Sequence, residues 1–174
     1  LTKIEITRDG KLVKSVKKQN VDDNKIRLSF APEKGKEDWF VIHANAEEQA
    51  APLREKYPPI RNLGRQTDLQ IAFRLDKDEP QSGKLFAYLP TEQASPVPCH
   101  INADFFPEQN RKALVLSGEQ HERYWNEMLL DVSATEIANH LVALREVLGP
   151  QGLWRLIGSA FEEKNSPHFG RFWN

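Results

Sequence analysis

Cys99 is the only cysteine in this chain. It excludes an internal disulfide and a zinc cage built on cysteines. It also suits a reducing compartment, so a cytoplasmic setting is expected. Glycine is sparse, with 9 residues falling mostly at turns, and neither G-x-x-x-x-G-K-S/T nor G-x-G-x-x-G occurs. A self-contained nucleotide site is therefore not expected. Charge of one sign is lacking too. The formal net charge is −1, which gives no global case for anionic membranes and disfavours nucleic acid while leaving it open. No apolar stretch approaches the roughly 18 residues of a membrane span, and no basic start with an apolar signal core is visible. Met is absent from position 1, and the sequence stops at Trp173-Asn174 inside an aromatic cluster. Both features suggest a piece of a longer protein.

What the chain does have is apolar residues in patterned runs. The hydrophobic share is 39% and the charged share 28% over 174 residues, enough for a core and too apolar for a disordered segment. Residues 3–8 and 12–16 flank Asp9-Gly10, a hairpin signal. Residues 25–30 alternate, and Trp39 to His43 is more continuously apolar. The opening third reads as an antiparallel meander. Asn45 to Glu55 reads as a short helix with Asn45 as N-cap and Glu48 three residues on, ending before Pro58-Pro59, and 60–66 reads as loop. Residues 68–75 alternate again and are expected to pair with 85–89 across the polar loop 76–83.

The most informative stretch is 83–130. Leu85 to Leu89 stops at Pro90. A second run, Cys99 to Phe105, follows a loop marked by prolines, and a polar turn, Pro107 to Lys112, leads into Ala113 to Leu116. A helix is expected from near Gly118. Trp125, Leu129, Val132, Ile137, Leu141, Leu144 and Leu148 form its apolar stripe. Ser133 to Glu136 matches a capping box, so this region is either two helices or one long helix containing Ser133. Gly149-Pro150 ends the run, Leu153 to Ile157 adds a further turn or two, and His168 to Trp173 opens a last helix. The expected class is α+β. It comprises a mostly antiparallel sheet of about six or seven strands, helices on one face, and a helical C-terminal segment. The organisation divides into a strand-rich part over 1–118 and a helical segment over 119–174.

Several residue sets tempt a chemical reading. His100, Asn102 and Asp104 would share a strand face, with His121 on the next helix, but one His–carboxylate pair lacks the ligands of a zinc site. Hydrogen bonding at the core or rim is the better reading, and His43 and His140 are isolated. Cys99 beside His100 suggests an activated thiol, yet strand neighbours point to opposite faces. Ser117 and Ser159 lack a nucleophile-elbow context. Asp76, Asp78 and Glu79 lack EF-hand spacing. Trp39, Trp125, Trp154 and Trp173 are too dispersed for a base-stacking platform and read as core anchors. Arg111 and Lys112 stand out because a tight turn between apolar runs can project a cation from a rigid frame toward a phosphate supplied from elsewhere. The plain alternative is a solvated basic turn with Arg111 capping carbonyls.

Four pieces of this stretch, in order, resemble the sacsin-type repeat unit of proteins carrying a GHKL-type ATPase domain like that of the 90-kDa heat-shock chaperones. They are Phe86-Ala87-Tyr88-Leu89-Pro90, Pro98-Cys99-His100 leading to Phe105, Asn110-Arg111, and Trp125-Asn126-Glu127-Met128-Leu129. The match covers about a quarter of the chain well. The Glu- and Asn-bearing helix and the D-x-G-x-G lid of a GHKL nucleotide site do not occur here. The resemblance therefore implies a middle, transducer-like region after the ATPase and no enzyme in isolation. It implies no cofactor in this segment, ATP and magnesium in the parent protein, and an upstream ATPase domain of the same chain as partner, with a client protein beyond it. In the related chaperones and topoisomerases, the domain after the ATPase gives a basic residue to the γ-phosphate. The resemblance puts Arg111 at that position, in trans to the preceding domain, with Lys112 as runner-up. The rival reading is an independent protein- or nucleic-acid-binding module without nucleotide linkage.

Overall fold

The structure, a computed structural model, describes residues 2–75, 82–118 and 120–174. It is α+β. Eight strands form one sheet: β1 (Lys3–Arg8), β2 (Lys11–Asn20), β3 (Lys25–Ala31), β4 (Lys36–Asn45), β5 (Asp68–Arg74), β6 (Lys84–Ala87), β7 (Leu89–Ala94) and β8 (His100–Asn102). Their order is β1-β2-β3-β4-β5-β8-β6-β7. Every pairing is antiparallel except that of β6 with β8.

The first five strands follow the sequence pattern closely. Asp9 and Gly10 take φ of 51° and 74°, the left-handed pair that turns a hairpin with the natural strand twist. The meander then runs without interruption to β4. The next part of the sheet departs from expectation. β5 does not pair with the 85–89 run; β8 inserts between β5 and β6. The expected loop falls partly outside the described residues, at 76–81. The apolar run from 85 also does not stop at Pro90. The chain reverses at Tyr88 (φ 60°), so that Phe86 faces Pro90 across a new hairpin. Proline fits there because β7 is the sheet edge and needs no inward N–H at that point. Gly83, the residue before β6, is pressed against the 97–99 loop, where a Cβ would lie 1.9 Å from the Cys99 carbonyl oxygen.

The helices are α1 (Glu47–Lys56), α2 (Pro58–Asn62), α3 (His121–Asn139) and α4 (Leu141–Glu162), followed by a 3-10 turn at Gly170–Phe172. Asn45 is not the expected N-cap: α1 is capped at Ala46 with no side-chain cap bond, and the Asn45 Oδ1 accepts from the Glu47 N–H at 2.8 Å, an Asx-type turn just ahead of the helix. Pro58 and Pro59 begin α2 instead of opening a loop, since proline is pre-set for a first helical turn. Ser133 does not break α3. It is fully buried, and its hydroxyl donates to the Leu129 carbonyl at 2.7 Å, an i−4 bond that keeps a serine inside a helix. The break comes at His140 and again at Gly149, whose φ of 69° kinks α4.

Residues alternate strictly between the two faces of β4 and β5. Phe40, Ile42, Leu69, Ile71 and Phe73 face the helices and join Trp125, Leu129, Val132, Leu144, Leu156 and Ala160 in one contiguous core. The opposite face, with Ile26, Leu28, Phe30 and Trp39 aligned through the strand register, lies outside that core. Of the four tryptophans, Trp39 and Trp125 are buried, whereas Trp154 is 72% and Trp173 45% exposed. The anchor expectation is corrected for those last two, because Trp154 lies off the buried Leu156–Ala160 side of α4 and Trp173 sits edge-on to Phe161 at the surface.

Candidate functional site

The basic turn is built on a loop that the core holds from behind. β8 ends at Asn102, earlier than the apolar pattern suggests, and residues 103–106 continue as a buried loop with Phe105 1% exposed. Two consecutive residues of α3 grip this loop. The indole Nε1 of Trp125 donates to the Asp104 carbonyl at 2.9 Å. The Asn126 amide closes a two-way clamp on Phe106: its Oδ1 accepts from the Phe106 N–H at 2.7 Å, and its Nδ2 donates to the Phe106 carbonyl at 2.8 Å. The same Nδ2 donates to the Val115 carbonyl at 3.0 Å. Asn126 is fully buried, so these bonds satisfy groups that water does not reach.

Phe106 and Val115 begin the two arms of the turn. The Val115 N–H donates to the Phe106 carbonyl at 3.0 Å, and Pro107 and Leu114 form the next bridge. Glu108 N–H to Ala113 O (2.8 Å) and Arg111 N–H to Glu108 O (2.8 Å) close the tip. The Asn110 side chain accepts from the Lys112 N–H at 2.8 Å, an Asx-type turn that explains Asn at this position. The run 113–116 thus forms a bridge at Leu114 and no strand, because its groups bond back to 106–108 and to β7 rather than to a strand ladder. The Gln93 Oε1 accepts from Leu114 N–H (2.7 Å), and Glu92 N–H donates to the Lys112 carbonyl (2.9 Å).

Arg111 sits at the apex with φ 57°. A non-glycine residue in that region is strained and persists only where its surroundings fix it. Its side chain is exposed, with Nη2 donating to the Ala87 carbonyl at 3.1 Å. That bond uses one of five guanidinium donors. Tyr88, the next residue after that carbonyl, is the other left-handed residue of this tip and is 60% exposed. Burial of part of the ring and the nearby Asp104 charge raise the Tyr88 phenol above its ordinary pKa, against the opposing charge of Arg65. Lys112 points elsewhere: its Nζ lies 3.3 Å from Glu92, with both side chains well exposed. The structure therefore separates the two basic candidates, tying one to the β6–β7 reversal and the other to β7.

The His–Asp grouping is not assembled. His100 lies between Trp39 and Phe86 (ring centroids 5.4 and 5.3 Å), and its Nδ1 accepts from the Lys84 N–H at 3.0 Å. Burial, then the charges of Lys84 and Arg74, lower its pKa. Asn102 accepts from the Tyr88 N–H at 3.2 Å. Asp104 lies beyond the strand and so leaves their shared face. It is bonded to Arg65 and to the Gln66 N–H (2.9 Å), and the Arg65 guanidinium lies 3.7 Å from the Phe106 ring centroid. His121 lies on α3, its Nδ1 3.2 Å from a Glu122 carboxylate oxygen. Among the described residues no group of His, Cys, Asp and Glu has metal-site geometry. Cys99 is buried and its pKa is pushed up to about 12 by burial, the opposite of an activated thiol. Asp76, Asp78 and Glu79 lie outside the described residues.

The sequence concealed the Asn126 clamp, the Arg65–Asp104 pair and the Tyr88 reversal. Asn126 did leave a signal, as a polar residue directly after Trp125 and three residues before Leu129-Leu130. Comparison with models of known protein families, with curated proteins and with solved structures returns no match.

Proposed function

We propose that this chain is a non-catalytic, transducer-like middle region following a GHKL-type ATPase domain in a sacsin-like protein, and that Arg111 reaches the γ-phosphate when the parent closes on ATP. In this reading the segment couples nucleotide state to chaperone-like or remodelling activity on a client protein. ATP and magnesium belong to the preceding domain.

What supports the reading is how the four resembling pieces are wired together. Trp125-Asn126 holds 104–106, that loop anchors both arms of the turn, and the turn displays Arg111 against the carbonyl of the first piece. Three of the four pieces thus act as a frame for the fourth. A guanidinium on such a frame, four of its donors still available, is suited to bind developing negative charge without first being ordered.

The test is steady-state ATPase activity of the parent protein carrying Arg111→Ala or Lys112→Ala. Arg111→Ala should lower turnover about tenfold to a thousandfold with little change in ATP affinity, since the contact forms in the closed, reacting state. Lys112→Ala should do less. Wild-type turnover in both variants would remove the phosphate contact and leave a solvated turn.

A further inference from the structure

The two edges of the sheet are treated differently. At one end β7 carries Pro90, and the 107–114 turn covers it through Glu92 and Gln93. These are the usual devices that keep an edge from pairing. At the other end β1 is six residues long, has no proline, and is exposed at every position. Its only irregularity is a register shift between Ile6 and Thr7.

Backbone parity shows what this edge offers. Lys18 N–H donates to the Thr2 carbonyl, and the register pairs Ile4 with Val16 and Ile6 with Lys14. The even residues of β1 therefore turn their backbone groups toward β2, and Lys3, Glu5 and Thr7 turn theirs outward. Ile4 and Ile6 stand on the face away from the helices, 50% and 54% exposed, next to Val16 and then Phe30. The charge of this ribbon departs from that of the chain. Residues 3–18 hold Lys3, Arg8, Lys11, Lys14, Lys17 and Lys18 against Glu5 and Asp9, and apart from Lys3 these cations have no carboxylate partner among the described residues. Lys3 and Lys17, a register pair, stand on the face opposite Ile4 and Ile6, where a strand alternating apolar and acidic residues beside β1 presents its acidic side chains. The ribbon has no aromatic residue, so it offers no platform for stacking bases.

We infer that the β1 edge is a docking site for an extended acidic polypeptide segment, which adds to the sheet as a further strand. Outward groups of Lys3, Glu5 and Thr7 form its ladder. Alternate apolar side chains of the segment cover Ile4 and Ile6, and its carboxylates, on the other face, meet Lys3 and Lys17. This surface lies at the opposite end of the sheet from Arg111 and does not depend on the ATPase reading.

The probe is a short fluorescein-labelled peptide alternating Glu with Val, measured by polarisation against the 174-residue chain, with a Lys/Val peptide and an oligothymidylate as comparators. The acidic peptide should bind about tenfold or more tighter than the basic one. Binding should slow hydrogen exchange at the amides of Lys3, Glu5 and Thr7. Glu5→Pro removes an outward N–H without touching a β2 bond and should abolish binding with the melting curve kept. Glu5→Gln, which removes only a repulsive charge, should bind at least as well as wild type. Lys3→Glu with Lys17→Glu, which reverses the charge on the face where the carboxylates lie, should weaken binding about tenfold or more. The exchange readout uses unaltered protein, so the test stands even if Glu5→Pro fails to fold. Unslowed exchange at those three amides, peptide binding that survives a folded Glu5→Pro variant, or oligothymidylate binding tighter than the acidic peptide would each overturn the inference.

Discussion

Replacing Asn126 by alanine tests the frame on which the candidate site depends. The side chain is fully buried and makes three bonds, at 2.7, 2.8 and 3.0 Å. The losses are unequal. The Phe106 carbonyl keeps the Val115 N–H as a donor, so it stays partly satisfied. The Phe106 N–H loses its partner, which in a buried position costs roughly 1–3 kcal/mol. The Val115 carbonyl loses a bond worth about 1 kcal/mol net, and the missing amide leaves a small void. Together these give about 3–5 kcal/mol of destabilisation. For a chain of this size the melting temperature should fall by roughly 6–20 °C. Urea titration followed by circular dichroism measures the loss. Hydrogen exchange at Glu108, Arg111 and Val115 should also speed up, because the clamp anchors both arms of the turn. Asn126→Leu fills the void but leaves the same orphaned groups, so it should recover only the smaller part of the loss. Stability within about 0.5 kcal/mol of wild type in Asn126→Ala would refute the clamp.

Trp125→Ala should cost roughly 3–5 kcal/mol, since the indole is fully buried and bonded to the Asp104 carbonyl; an unchanged melting temperature would count against that packing. His100 has a folded pKa below its ordinary 6.5, so the unfolded chain takes up its proton first. Its contribution to stability is complete above about pH 6.5 and declines as pH falls from there toward the folded value. The slope of melting temperature between pH 7.5 and 5 should therefore flatten in His100→Gln. Cys99, with a thiol pKa of about 12 and 3% exposure, should react with a disulfide reagent at pH 8 only after urea unfolds the chain; rapid labelling of native protein would contradict its burial. Calorimetry of this chain with ATP should show no binding, and micromolar affinity would remove the reading that assigns the nucleotide to a preceding domain.

How much of this was legible in the sequence depended on how local the determining interactions are. The meander needed only alternation and an Asp-Gly turn, both set by neighbours in the chain, and β1 to β4 follow it. The pairing of β5 with β8 instead of β6 is a non-local choice among strands of similar character, and nothing in residues 68–75 or 85–89 encodes it. Tyr88 hid its reversal because an aromatic residue at φ 60° is disfavoured by its own sterics and persists only through a fixed environment, including the Asn102 bond to its N–H. Ser133 could be read as a cap or as an interior residue. Its burial against Leu129, a matter of tertiary packing, decided the question.

The candidate site shows the same division and carries a consequence for mutagenesis. Residues with strong sequence signals around it, Trp125, Asn126, Phe105 and His100, prove to be structural: each is buried or bonded to backbone. Substituting them should lower any activity of the protein through lost stability, whichever function it has. Arg111 differs because its side chain is exposed and its loss leaves the backbone bonds of the turn intact. The Ala87 bond is a neutral-acceptor contact at the surface, so Arg111→Ala should change the stability of this chain by no more than about 1 kcal/mol. Arg111→Lys sharpens the distinction. An ammonium keeps the charge but not the planar fork, so a phosphate contact that needs only charge should be largely retained. A contact that needs two aligned donors should be lost as fully as in alanine. Melting curves beside parent turnover for the alanine and lysine variants separate these cases. If both variants melt like wild type and both turn over like wild type, the exposed arginine has no function in the reaction, and the turn serves only to cover the β7 edge.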